Sequence, residues 1–134
     1  MTVQHKVDDN LKLITTTVTG EATDGKLIDA LSNYQQTIRI QSDHNSYNEI
    51  VDMSNVSKFK LSTEGIKELV QIGTQTDAAG IKTRLAIIVT KPVAYGLARM
   101  YEIYRSLQPH VVKELRIFMK YEDALEWVKR KTDE

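Results

Sequence analysis

The sequence predicts a mixed α/β fold with about five strands and about four helices in a single domain over residues 1–134. Three observations predict it. Apolar and polar residues alternate within residues 3–18, as in a β-hairpin. Strand-like and helix-like segments then alternate along the rest of the chain, which is the pattern of parallel strand–helix–strand units. One apolar run, LAIIV at 85–89, is continuous, as in a strand that is covered on both faces.

The amino-terminal hairpin is predicted from two alternating segments, 3–7 and 11–18, which are joined by turn residues at 9–10. Thr23 and Asp24 can then cap a first helix. The apolar positions of this helix recur at helical spacing: Leu27, Leu31, Tyr34 and Ile38. We expect the helix to end near Ser42 and a polar loop to follow it.

A short strand is predicted at 47–53, and a polar connection leads from it to a second helix. Ser62 or Thr63 is placed to cap that helix. One face of the helix is apolar: Ile66, Leu69, Val70 and Gly73. We expect the helix to close at 77–80, where a glycine follows the last apolar position.

The continuous apolar run predicts an interior strand at 84–90. Pro92 is placed as the first residue of a third helix, and Pro109 marks its end. We expect one stripe of this helix to face the core: Val93, Leu97, Met100, Tyr104 and Leu107. A last strand is predicted at 115–119. A closing helix follows it, with an apolar face made by Tyr121, Ala124, Leu125 and Val128.

Composition argues against several classes of protein. Lys+Arg and Asp+Glu both number 18, so no overall field attracts nucleic acid or an anionic membrane. The absence of cysteine excludes disulfides and thiolate metal sites and suits a reducing compartment. The first ten residues do not resemble a secretory signal, and no apolar run approaches the length of a membrane span. We therefore expect a cytoplasmic protein with no transmembrane segment and no nucleic-acid partner.

Residues that could carry catalysis are scattered. His5, His44 and His110 lack the spacing that would place two imidazoles on one helical face. The sequence contains no GxSxG elbow, no GxGxxG loop and no Walker loop. It therefore predicts no catalytic residue, no metal site and no cofactor, and we expect a protein that is not an enzyme.

Three longer segments carry a family pattern: IVDMSNVSKFKLSTEGIKEL, RLAIIVTKPVAYGLARMYEIY and LRIFMKYEDALEWV. With the order of elements between them, they cover most of the chain from Glu49 onward and resemble SpoIIAA-like proteins of the STAS-like group. These are bacterial α/β domains related to anti-sigma-factor antagonists. The resemblance implies a STAS-like (SpoIIAA-like) fold and a regulatory or protein-interaction module that binds a protein partner or a second copy of the chain.

The resemblance also implies a candidate switch. In the antagonists, a strand ends in an Asp-apolar-Ser-x-Val pattern, and a kinase phosphorylates a serine at the start of the next helix. DMSNV at 52–56 matches the first part, but Lys60 and Leu61 stand where an acidic residue is expected. Since helix caps are common and the acidic turn is missing, we favour a cap at Ser62 or Thr63 and local turn bonds elsewhere. The candidate partner surface or switch comprises Asp52, Ser54, Ser62 and Thr63.

A second candidate site is TKPVAYGLARM at 90–100, where a strand gives way to a helix. Backbone amides at the helix start, with Lys91 and Arg99, could hold an anion or a carboxylate head group. Because STAS-like domains resemble lipid-binding SEC14-type domains in fold, a small apolar or lipid-like ligand is the alternative function. Aromatic residues and a methionine would line its crevice, although a solid core explains them equally well: Tyr95, Met100, Tyr101, Tyr104 and Phe118. The candidate ligand crevice comprises Thr90, Lys91, Tyr95 and Arg99.

Overall fold

The computed structural model describes residues 1–40, 44–75, 80–109 and 111–130. The strands are β1 (Thr2–Asp8), β2 (Leu13–Thr23), β3 (Asn48–Lys60), β4 (Thr83–Ile88) and β5 (Lys113–Phe118). The helices are α1 (Asp24–Tyr34), α2 (Thr63–Gly73), α3 (Pro92–Ser106) and α4 (Tyr121–Lys129). A π-helical turn, Gln35–Arg39, continues α1, and a 3-10 turn, His44–Ser46, precedes β3.

The five strands form one sheet in the order β1-β2-β3-β4-β5. β1 and β2 are antiparallel, and every later neighbour is parallel. The predicted mixed α/β fold, a hairpin followed by alternating helices and strands, is confirmed. β4 is buried at all its positions because it has a strand on each side and helices on both faces.

Helices cover both faces of the sheet. On one face, Trp127 and Ala124 of α4 pack with Ile50 of β3. On the other face, α1, α2 and α3 pack against the sheet, and Leu27 and Leu69 belong to that core. A side chain as buried as Ile50 contributes about 1.5–3 kcal/mol relative to an exposed position. None of the helices in the described ranges is long and apolar enough to cross a membrane.

β3 is longer than predicted. The sequence places its end at Met53, but the strand continues to Lys60 and pairs with β2 throughout that extension, with irregularities in the register. Ser57 and Lys58 are exposed there, whereas Val56 is buried. Backbone hydrogen bonds to β2, rather than a run of apolar side chains, hold this half of the strand. Its sequence is therefore polar, and a polar sequence predicted a connection instead of a strand.

The buried face of α3 also differs from the predicted stripe. Val93 and Leu107 are 68% and 71% exposed. The buried residues of the helix are Ala94, Ala98 and Arg105, which recur at helical spacing on another face. Small residues let the helix lie close to the sheet, so the helix packs on alanines rather than on its largest apolar side chains.

Helix starts were predicted well. Thr23 caps α1, Ser62 caps α2, and Pro92 is the first residue of α3. The expected end of the first helix at Ser42, the second-helix closure at 77–79 and the position of His110 lie outside the described residues.

Candidate functional site

A cavity of about 170 Å³ lies between the sheet and helices α1, α2 and α3. Its walls are mainly apolar and come from every layer around it, with contributions from Val18, Leu27, Met53, Leu69, Ile87 and Tyr101. For comparison, an engineered cavity of about 150 Å³ in another protein stays dry and binds benzene. The space therefore suits a ligand of about the size of a single aromatic ring.

One end of the cavity is charged. The Tyr34 hydroxyl donates to Glu49 Oε2 at 2.6 Å, and Lys113 Nζ donates to Glu49 Oε1 at 2.5 Å. The guanidinium of Arg39 approaches the same carboxylate, with Nη2 3.5 Å from Oε1. The side chains of Glu49 and Lys113 are only 7% and 8% exposed. We call these four residues, Tyr34, Arg39, Glu49 and Lys113, the charged end.

The sheet and the first helix position this cluster. Glu49 lies near the start of β3 and Lys113 is the first residue of β5, with β4 between them. Neighbouring strands are about 4.8 Å apart, so only a long side chain can reach across two spacings. Lysine has that length. Tyr34 is the last residue of α1 and approaches Glu49 from the helix layer.

Arg39 lies beside Glu49 and is held in place by hydrogen bonds of its own. Its guanidinium donates to three backbone carbonyls, those of His44 at 2.7 Å, Tyr47 at 2.7 Å and Asn45 at 3.0 Å. The residue is 1% exposed. The carbonyl groups hold the positively charged guanidinium beside Glu49, and Arg39 does not line the cavity.

Burial sets the protonation of the charged end. Burial alone would raise the pKa of Glu49, but the charges of Lys113 and Arg39 outweigh it and hold the pKa below its usual range. Burial lowers the pKa of Lys113, and the charge of Glu49 opposes that effect only in part. Burial and the same carboxylate raise the pKa of Tyr34 far above its usual range. Tyr34 is therefore a neutral donor to an ionised Glu49.

His5 lies beside this end and also lines the cavity. Its Nδ1 is 2.7 Å from the Thr16 hydroxyl, and its ring centroid is 5.0 Å from that of Tyr34. Burial lowers the pKa of His5, so the imidazole is held in its neutral form. Among the described residues, no group of three or more His, Asp or Glu side chains could hold a metal ion.

Asp52, predicted near the end of the strand, and Ser54, predicted in the connection after it, both lie within β3. Asp52 Oδ1 accepts from the Ser54 amide at 2.9 Å and from the Ser54 hydroxyl at 2.6 Å. Asp52 pairs with Ile88, the last residue of β4, so it lies level with the carboxyl end of that strand. Both side chains are half-buried and engaged with one another.

Ser62 and Thr63 form the exposed start of α2. The Ser62 hydroxyl accepts from the Gly65 amide at 3.0 Å and donates to Asp24 Oδ2 at 2.5 Å. The Ser62 amide donates to Asp24 Oδ1 at 3.0 Å. A Cβ at Gly65 would lie 2.1 Å from that oxygen, so glycine permits the close approach. The cap at Ser62 is present, and Asp24 is a partner that the sequence did not reveal.

The predicted ligand crevice does not coincide with the cavity. Thr90, Lys91, Tyr95 and Arg99 are exposed and do not line it. Lys91 donates to the carbonyls of Val56 at 3.0 Å and Ser57 at 3.3 Å, and Arg99 pairs with Glu102. The cavity-lining residues of α3 are Ala94, Leu97, Ala98, Tyr101 and Arg105. Tyr95 and Arg99 directly follow Ala94 and Ala98 in the sequence. Consecutive residues of an α-helix are rotated by about 100°, so Tyr95 and Arg99 lie on the exposed face of the helix.

Sequence reasoning missed the charged end. The available signal was Glu49, a carboxylate next to the buried residue Ile50 in a predicted strand. Charged residues are almost never fully buried without a partner, so a charge at an inward strand position implies one. The partner, Lys113, lies 64 positions later in the sequence, and nothing in the chain pairs the two before the sheet is assembled.

Comparison with known proteins supports the fold. No protein-family model matches the chain, and no curated protein matches it significantly. The structure is similar to the crystal structure of an uncharacterised protein of the DUF3478 family with a SpoIIAA-like fold, from Shewanella loihica PV-4. The TM-score is 0.54 at 16% sequence identity, over 95% of this chain and 92% of that one. The chain thus has the SpoIIAA-like fold that its sequence predicted.

Proposed function

We propose that this SpoIIAA-like chain is a binding module rather than an enzyme, and that its cavity binds a small apolar ligand. The observation that carries the proposal is the space of about 170 Å³ between the sheet and helices α1–α3. We place the module in a bacterial cytoplasm, which suits a chain without cysteine.

The energetics of packing support a ligand. Protein interiors are normally close-packed, and an empty void destabilises by about 24 cal/mol per Å³. Three alanines line the space, Ala30, Ala94 and Ala98, and a larger apolar side chain at any of them would fill part of it. A ligand would recover the lost contacts instead.

A binding role also fits the chemistry of the charged end. The Tyr34 hydroxyl, Lys113 and Arg39 all contact Glu49, so the carboxylate is engaged on both oxygens. Raising the pKa of Tyr34 makes its phenol a poor proton donor in a reaction. His5, the nearby imidazole, is bonded to a threonine rather than to an acid. These contacts favour a fixed recognition surface over acid–base catalysis.

The test is to fill the cavity. Ala98→Leu adds three carbon atoms to its wall, and Val93→Leu adds one carbon atom on the exposed side of the same helix. The affinity for toluene, measured by protein NMR titration, should fall at least tenfold in Ala98→Leu and stay unchanged in Val93→Leu. Native mass spectrometry of protein purified from its own cells should show a small molecule that Ala98→Leu no longer retains. If Ala98→Leu only stabilises the fold and toluene never binds the unaltered chain, the proposal fails.

The module has a second candidate role, binding a protein partner at residues 52–65. Beyond Asp52, β3 pairs with β2 but not with β4, so within the described ranges no strand pairs with one edge of its last part. Lys91 bridges two carbonyls there, those of Val56 and Ser57. That lysine protects part of the edge, as lysines commonly do on exposed strands. Extended peptides bind to exposed edges by adding a strand, so the rest of this edge is the candidate contact.

Photo-crosslinking in cells tests that role. A crosslinking residue at Ser57, which is exposed on the extension of β3, should trap a partner protein or a second copy of the chain. The same residue at Lys129, exposed on α4, is the matched control. Identical products from both positions would argue against a specific surface at 52–65.

A further inference from the structure

We infer that the ligand of the cavity is a small amphipathic monoanion: an apolar body that carries a carboxylate, bound by the Lys113 ammonium at the charged end. This inference rests on the proposed function, since it requires that the cavity holds a ligand. It adds the chemical class of the ligand and the side chain that recognises it.

The balance of charge is the first observation. Glu49 is the carboxylate at the charged end, and two cations, Lys113 and Arg39, contact it. Tyr34 is neutral there. Buried charges are stable when they are matched, and two positive charges on one carboxylate leave an excess of positive charge. A carboxylate from a ligand would reduce that excess, whereas an ammonium group would increase it.

The hydrogen bonds of Lys113 are the second observation. An ammonium group has three N–H donors. Within the described part of the chain, Lys113 Nζ has one hydrogen-bond partner, Glu49 Oε1. The Lys113 side chain is 8% exposed and lines the cavity, so bulk water has little access to its other donors. A ligand oxygen in the cavity would satisfy a donor that is costly to leave unpaired.

The surroundings of Lys113 agree with an anionic head group. Arg105 and His5 line the cavity with it, and of the Asp and Glu residues that the structure describes only Glu49 does so. Burial lowers the pKa of Lys113, and a second carboxylate beside the ammonium would oppose that effect. Binding of the anion should therefore be accompanied by proton uptake when Lys113 is partly deprotonated in the free protein. Glu49, Arg39, Arg105, Tyr34 and His5 are the other titratable groups that face this end.

The apolar part of the cavity sets the size of the ligand. Away from the charged end, the walls are mainly apolar, as at Leu27, Phe59 and Ile87. A space of about 170 Å³ suits an aromatic carboxylate or a short-chain carboxylate, and it does not accommodate a long acyl chain.

Matched probes test the inference on the full chain. Toluene, benzoate and benzylamine each contain one aromatic ring, with a neutral, an anionic and a cationic substituent respectively. Pentan-1-ol and pentanoate compare a neutral with an anionic group on a five-carbon chain. At neutral pH, NMR titration should show that each anion binds at least about tenfold more tightly than the neutral probe of the same set. A hydrogen bond to a charged group contributes a factor of about this size. Benzylamine should bind most weakly.

Two variants locate the head group. Lys113→Met should abolish the preference for the anion and leave binding of the neutral probe, whereas Lys129→Met, on exposed α4, should retain the preference. The double variant Lys113→Met with Glu49→Gln removes both members of the ion pair and provides a second folded protein if the single variant is unstable. Thermal unfolding verifies that each variant is folded.

The outcomes separate the two proposals. If neutral probes bind as tightly as anions, or if the preference survives in both Lys113 variants, the head-group inference is wrong and the apolar site stands. If no probe binds the folded, unaltered chain, the proposed ligand function fails together with it.

Discussion

Two carboxylate–hydroxyl hydrogen bonds connect the first helix to the segment around β3 and α2, and they lie in opposite environments. Asp24 accepts from the Ser62 hydroxyl at 2.5 Å on the exposed surface, and Glu49 accepts from the Tyr34 hydroxyl at 2.6 Å in the interior. The bond lengths are nearly equal. The buried pair has two cations beside it, whereas the exposed pair serves a helix cap. Environment, rather than bond geometry, decides what each pair contributes.

The largest expected effect comes from removing the buried carboxylate. Glu49→Ala leaves Lys113 and Arg39 without their common counter-charge and Tyr34 without its acceptor, which should lower the free energy of unfolding by about 3–5 kcal/mol. Asp24→Ala removes the corresponding exposed acceptor and should lower it by about 1 kcal/mol. Urea unfolding of both variants measures the difference, and equal losses would contradict it.

Acid should lower the free energy of unfolding by protonating Glu49, the carboxylate of the buried pair. The pKa of Glu49 in the folded protein lies below its usual value of 4.5. Its contribution to stability is therefore fully present above pH 4.5 and is lost as the pH falls through the folded-state pKa. The free energy of unfolding of the unaltered chain should thus fall more steeply in acid than that of Glu49→Gln. Parallel curves for the two proteins from pH 6 to pH 2 would show that Glu49 has no depressed pKa.

The two pairs also differ in what the sequence could predict. Ser62 was predicted as a cap because a cap depends on residues within one turn of the helix start. Asp24, its partner, lies 38 positions away, and only the packing of α1 beside α2 brings it there. The charged end depends on the sheet order in the same way, since Lys113 reaches Glu49 across β4. Local signals identified the elements, but not the contacts that assemble the site.

The errors have a similar origin. Periodicity predicted the existence of α3 but chose its largest apolar residues for the core, although two alanines and an arginine are the buried ones. The crevice at Tyr95 and Arg99 was predicted from the helix start and from the family resemblance, and these two residues lie on the exposed part of the helix. The extension of β3 was missed because its strand character comes from pairing with β2, which a polar composition does not indicate. In each case a neighbouring element overrode the local pattern.

The smallest effect is expected at the exposed hydroxyl. Ser62→Ala removes the cap and one bond to Asp24, which should lower the free energy of unfolding by about 1 kcal/mol. Ser62→Asp can still cap α2, but it places a second carboxylate against Asp24, so its stability should not exceed that of Ser62→Ala by more than a few tenths of a kcal/mol. A partner protein identified by crosslinking at residues 52–65 should bind both variants with the same affinity, as measured by calorimetry. We expect this because the Ser62 hydroxyl stabilises the helix start and does not contact the partner. If Ser62→Asp alone abolishes binding while both variants remain folded, Ser62 is a charge-sensitive switch and its role as a cap is secondary.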